Sequence, residues 1–116
     1  MEASVYLAAG VACLDAGDPA GAAEALRRAA YLDAENAFTQ FNLGRAYLRL
    51  GATARGRSAL LAARRILAAI DDREGVRDAA GLLAGELKRA VDVSITALAT
   101  HTTRENATGD LERLYE

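Results

Sequence analysis

The chain is poor in the residues on which most chemistry depends. It has one cysteine, Cys13, so no disulfide can form within it. It has one histidine, His101, and no ligand spacing joins that residue to Cys13, which leaves metal binding without support. Ser4, Ser58 and Ser94 have no base to activate them, so a nucleophile triad is absent. There is no glycine-rich phosphate loop, because each glycine falls at a helix end or a packing point. Asp71, Asp72 and Glu74 read as a solvated loop rather than paired catalytic carboxylates. The sequence therefore points away from an enzyme and calls for no cofactor. No apolar run nears the ~20 residues that a bilayer requires, which argues against membrane insertion. Sustained period-two alternation of β-branched residues is missing as well, and a sheet is not expected. Tryptophan is absent, and Pro19 is the single proline.

Alanine is plentiful, at 28 of 116 positions. It loses no side-chain entropy in a helix, so this composition favours closely packed helices and an all-α fold. Hydrophobic residues make up 52% and charged residues 26%, the balance of a globular chain of one domain. The net charge of −2 argues against nucleic acid as the main partner. Its distribution says more than its sum. Between Asn36 and Ile70 lie Arg45, Arg49, Arg55, Arg57, Arg64 and Arg65, with no Asp or Glu. That window is either a docking face for an acidic partner or a solvated arginine face. The apolar start, Val5 to Leu14, carries Cys13, but its flank holds Glu2 and no Lys or Arg, the reverse of a signal peptide. It reads as a core helix of a cytoplasmic protein.

Internal repetition organises the chain. One interval separates Gly10 from Gly44, Gly17 from Gly51, Ala12 from Ala46, Leu14 from Leu48, Leu26 from Leu60, and Ala29 from Ala63. Leu7 and Phe41 share that register as large apolar residues. The interval matches the period of about 34 residues at which one class of helix–turn–helix repeat recurs. The units fall at 3–36 and 37–70. In the first unit, Gly17 ends a helix, Asp18 caps the next and Pro19 opens it. In the second, Asn36 and Thr53 are the expected caps and Gly51 the stop. Asp71 to Gly75 then breaks the chain. Val76, Ala80, Leu83, Leu87, Val91, Ser94 and Leu98 recur every three or four residues, which predicts a capping helix over 76–100. Within it, Gly81 and Gly85 would either mark a close helix crossing or be tolerated in a lightly packed helix. Residues 101–116 read as a polar tail with a short helix from Asp110.

These residues carry a resemblance. Leu43-Gly44-Arg45-Ala46-Tyr47 resembles the tetratricopeptide (TPR) pattern of Leu-Gly, two residues, then Tyr. Ala22, Leu26 and Ala29, and then Gly56, Leu60 and Ala63, match the second-helix signature. Tyr6 and Gln40 stand where the pattern has tryptophan, and Ala34 and Ala68 replace its closing proline. The resemblance implies a helical-hairpin solenoid of two TPR units plus the capping helix, over residues 1–100. More narrowly, Ala29-Ala30-Tyr31-Leu32-Asp33, then Phe38, Phe41 and Leu43-Gly44, resembles the TPR segment fused behind chemoreceptor (CheR-type) methyltransferase domains. Gly81 to Leu87 resembles the closing helix of those segments. Nothing here corresponds to the part of that family that binds S-adenosylmethionine.

The function implied is protein–protein interaction, with a partner peptide or helix held in the groove lined by first helices. In the chemosensory variant the partner is a receptor or methyltransferase domain, and the role is signal transduction in chemotaxis. The family's groove positions fall on Leu7, Val11, Leu14, Asp15, Phe38, Phe41, Asn42, Arg45, Leu48 and Arg49, and seven of them, Leu7, Val11, Phe38, Phe41, Asn42, Arg45 and Arg49, are the expected partner contacts. Phe38, Phe41, Arg45 and Arg49 are three, four and four apart and share a helix face, joining aromatic anchors to a cationic rim. The alternative for Phe38 and Phe41 is simple packing between repeats. A carboxylate-clamp reading fails: Asn42 matches, but Leu7 stands where the clamp needs lysine and Val11 where it needs asparagine. Two units make a short groove with an open apolar end, so the alternative function is a homo-oligomeric scaffold, with a homodimer as its simplest form.

Overall fold

Glycines and short polar residues set the helix boundaries. The computed structural model describes the backbone of residues 2–114 and the side chains of residues 2–99. Among the described residues the regular structure is all helical, apart from one isolated bridge between Gly75 and Leu83. Helix α1 spans Ala3–Asp15. Gly17, at φ +79°, reverses the chain, and Asp18 N–H donates back to Cys13 O at 2.8 Å. The same device recurs at the equivalent place in the second unit. Helix α3 spans Ala37–Arg49, Gly51 sits at φ +77°, and Ala52 N–H donates to Tyr47 O at 2.9 Å. A left-handed residue just past a helix lets the last carbonyls find donors, and glycine takes that conformation without a Cβ penalty.

Helix α2 spans Pro19–Leu32, with Asp18 Oδ1 accepting from Gly21 N–H at 2.9 Å. Asn36 caps α3 by accepting from Thr39 N–H at 3.1 Å. Helix α4 spans Thr53–Leu67, and here the cap expectation needs correction. Thr53 is the first helical residue, and Ala52 holds the cap position with no side-chain bond.

α1 packs along α2 and α3 along α4, while α2 rests on α3 and α4 on the start of α5, which spans Ala84–Leu114. Within each hairpin a glycine on the first helix faces a leucine on the second. A methyl added at Gly10 would press on Leu26 Cγ and lie 2.7 Å from Cδ2. One added at Gly44 would lie 2.8 Å from Leu60 Cγ. Leu26 and Leu60 are both 0% exposed. The absent Cβ lets the helices approach, and each buried leucine contributes about 1.5–3 kcal/mol. Two clusters result. One joins Leu7, Leu14, Leu26, Leu43 and the alanines between them. The other joins Ile66 and Leu67 of α4 to Ala84, Leu87 and Val91 of α5, with Phe38 and Phe41 against it.

The fifth helix differs from expectation at both ends. It begins at Ala84 rather than residue 76, because Asp78 (φ 64°) and Gly81 (φ 81°) take left-handed conformations. Residues 71–83 instead fold into a knot of turns in which Val76 N–H donates to Leu82 O at 2.8 Å. The apolar residues turned inward are Val76, Ala79 and Leu82, whereas Ala80 and Leu83 of the expected helical series are exposed. Gly81 thus lies in a turn and only Gly85 makes a close approach, to Asp72.

The loop is strapped to the α2–α3 turn. Arg77 meets Asp33 at 2.6 Å, and Asn36 Nδ2 donates to Asp78 at 2.9 Å. Lys88 donates to Ile70 O and Asp72, each at 2.6 Å. That hydrogen bond and the lysine's charge hold the Asp72 carboxyl below the ordinary value of 3.8.

At the other end α5 runs on to Leu114, through the stretch expected to be a polar tail. Its 31 residues span about 46 Å, against a longest molecular extent of 54 Å. The side chains of His101 and of Asp110 to Tyr115 lie outside the described residues. No helix among the described residues is long and apolar enough to cross a membrane.

Candidate partner-binding face

The seven residues assigned to a groove do not all meet. Leu7, Val11 and Phe38 line one depression of about 400 Å³ between α1 and the start of α3. Leu7 is 3% exposed and forms its floor, while Val11 and Phe38 are half-buried walls. Ser4, Ala8 and Ala12 extend the α1 wall, one helical turn apart. Asp15 and Asp78 stand on the rim. Asp78 comes from the strapped loop, so the chain itself closes part of this face. The repeat units do not contain that loop, and periodicity therefore carried no signal for Asp78.

The other four residues have work inside the protein. Asn42 is 1% exposed, and both ends of its amide are engaged on α3. Its Nδ2 donates to Phe38 O at 2.8 Å, and its Oδ1 accepts from Arg45 at 3.1 Å. Phe41 packs against the second cluster, and the Arg45 guanidinium lies over its ring at 5.7 Å. That stacking and the hydrogen bond to Asn42 hold Arg45 in one place, half-buried. Arg49 reaches across to α1 and donates to Leu14 O at 3.0 Å. This gives a second donor to a carbonyl that already accepts from Gly17 N–H at 3.1 Å, in the last turn of α1, where a cation is also favoured by the helix dipole. The hydrogen bond ties the two hairpins together.

The arginine window is similarly divided. Arg45 and Arg49 make the contacts just described, and Arg65 pairs with Glu35 at 3.0 Å. Arg55, Arg57 and Arg64 are exposed on α4 and do not line the α1 depression. The exposed α4 arginines and the apolar depression are therefore different places, and the charged residues that line the depression, Asp15 and Asp78, are acidic. Cys13 is half-buried against the first cluster. Among the described residues no three His, Cys, Asp or Glu side chains gather as metal ligands would.

No family model, curated protein or solved structure matches the chain.

Proposed function

We propose that the chain is a protein-interaction module of tetratricopeptide type, which holds an apolar peptide or helix against α1 and the start of α3. The observation that carries this reading is the recurrence of one hairpin contact in one register. Gly10 against Leu26 and Gly44 against Leu60 occupy equivalent places in the two units, and both second-helix leucines are fully buried. Stacked hairpins of this kind leave their first helices to form a recognition face. The depression offers an apolar floor at Leu7, walls at Val11 and Phe38, and carboxylates at Asp15 and Asp78. Its ligand is an aliphatic or aromatic side chain followed by a basic residue. Arg45, fixed by Phe41 and Asn42, meets an acidic group of the same ligand further along α3.

The resemblance of Ala29 to Asp33, Phe38, Phe41 and Leu43-Gly44 to repeats behind chemoreceptor methyltransferases supplies the partner: a receptor or methyltransferase segment in the cytoplasm. The test is affinity capture from source-cell lysate with the chain as bait, read by mass spectrometry, beside an Ala8→Glu bait. Ala8 is exposed on the α1 wall, so this change fills the depression without touching the core. Chemosensory proteins retained by the native bait and lost with Ala8→Glu are the expected result. Equal capture by both baits would remove the groove from the account.

A further inference from the structure

Helix α1 is apolar nearly all round. Asp15 is its single charged residue in 13. Such a helix belongs inside a protein, yet α1 stands at the end of the stack with Val5 48% exposed. Beside it lies the most open aromatic of the described residues, Tyr31, at 89%, and then Leu32 at 51%. These residues border a second depression, of about 450 Å³, walled by Tyr6, Glu24, Arg27 and Arg28 as well as Tyr31 and Leu32.

The second hairpin carries the counterpart of this face, and there the equivalents of Glu24 and Arg28, Ser58 and Ala62, line an open depression without an aromatic like Tyr31 beside it. Tyr6, Ala9, Cys13 and Ala25 correspond, one repeat later, to Gln40, Leu43, Tyr47 and Ala59. In the second hairpin Leu43, Tyr47 and Ala59 join one cluster with Leu26 and Ala29 of α2. Among the described residues Ala9 is exposed where its counterpart Leu43 is buried, so no helix stands against α1 there as α2 stands against α3, whereas α5 packs on α4.

We propose that this face binds a second copy of the chain, with the two α2 helices antiparallel about a two-fold axis at the level of Leu26. The surface of α2 is self-complementary in that register. Positions equidistant from residue 26 face each other, which sets Glu24 opposite the second copy's Arg28, and Arg28 opposite its Glu24. Leu32 falls opposite Ala20, and Tyr31 opposite Gly21, so each large side chain meets a small residue. A two-fold contact repeats every pairing, as an isologous interface must. Glu24 and Arg28 are already oriented on this face, paired at 3.3 Å along the helix, with Arg28 over the Tyr6 ring at 5.8 Å. This surface uses residues of α1 and α2 outside the groove proposed above, so the two sites stand or fall separately.

The test is sedimentation velocity on the full chain, from low micromolar to near-millimolar protein, with circular dichroism as the check on folding. Native protein shows a reversible monomer–dimer equilibrium. Glu24→Arg sets two arginines face to face and Arg28→Glu two glutamates, so each weakens the dimer by about tenfold or more. The double exchange restores opposite charges and returns affinity to within about threefold of native. Both positions are exposed, so the monomer fold is unaffected. A chain that stays monomeric throughout overturns the proposal. So does a dimer indifferent to either single exchange, or one that the double exchange fails to restore.

Discussion

Replacing Gly10 by alanine should destabilise the protein, although alanine is the better helix former. The propensity gain is about 1 kcal/mol in a helix interior. Against it stands a methyl that would overlap Leu26 Cγ and lie 2.7 Å from its Cδ2. Ordinary carbon contacts are about 3.5–4.0 Å, so Leu26 would have to move by about an ångström. It cannot move into solvent, since it is 0% exposed in the centre of the first cluster. Overpacking of this kind costs about 1–3 kcal/mol. With displacement near the upper end, the net loss is about 1–2 kcal/mol. The three nearest atoms all belong to the Leu26 side chain, and that makes the reasoning refutable. Leu26→Ala alone should cost about 2–5 kcal/mol. In that background the obstruction is gone, and Gly10→Ala should stabilise by about 1 kcal/mol. The assay is urea unfolding followed by far-ultraviolet circular dichroism on the four members of the cycle. Equal effects of Gly10→Ala in both backgrounds would refute the packing argument.

Local geometry yields two further predictions. Gly51→Ala should cost about 1–2 kcal/mol through backbone strain alone, because φ is +77° and the added methyl meets nothing within 4 Å; the urea midpoint checks it, and Gly51→Asn should recover part of the loss. Asp72 should titrate below 3.8 in a carbon-13 carboxyl titration, and Lys88→Met should return it toward that value. Because the folded pKa is the lower one, this pair's contribution is complete above the unfolded value and is lost as pH falls through the folded one. The Lys88→Met variant should therefore show a flatter acid limb of stability.

The parts of the fold that follow the repeat were legible in the sequence. Gly17 and Gly51 end α1 and α3, Asp18 and Asn36 cap α2 and α3, and Leu26 and Leu60 fill the hairpins. Each of these depends on neighbours a few residues away or on a contact made twice. What lay hidden depends on distant groups. Val76, Ala80 and Leu83 had helical spacing, but Asp33 and Asn36 draw Arg77 and Asp78 into a strap that no helix could make. Asn42 and Arg49 occupied groove positions in the repeat pattern, yet Arg45 and the Leu14 carbonyl claim them from within. An arginine beside an aromatic has the same spacing on a helix whether it meets a partner or its own chain. Polar composition suggested a loose segment after residue 100, while the backbone there continues α5 to Leu114. Tyr31 was visible only as part of a motif; its exposure beside α1 needed the fold.

The central claim is that α1 and the start of α3 receive a protein partner. Site-specific photo-crosslinking tests it most directly, with a photoreactive phenylalanine analogue placed at Ala8 and, as control, at exposed Arg57 on α4. After irradiation in source cells, the account predicts a crosslinked protein of defined mass from position 8, absent from position 57 and carrying a chemoreceptor or methyltransferase sequence. No adduct from position 8, or the same adducts from both positions, would contradict it.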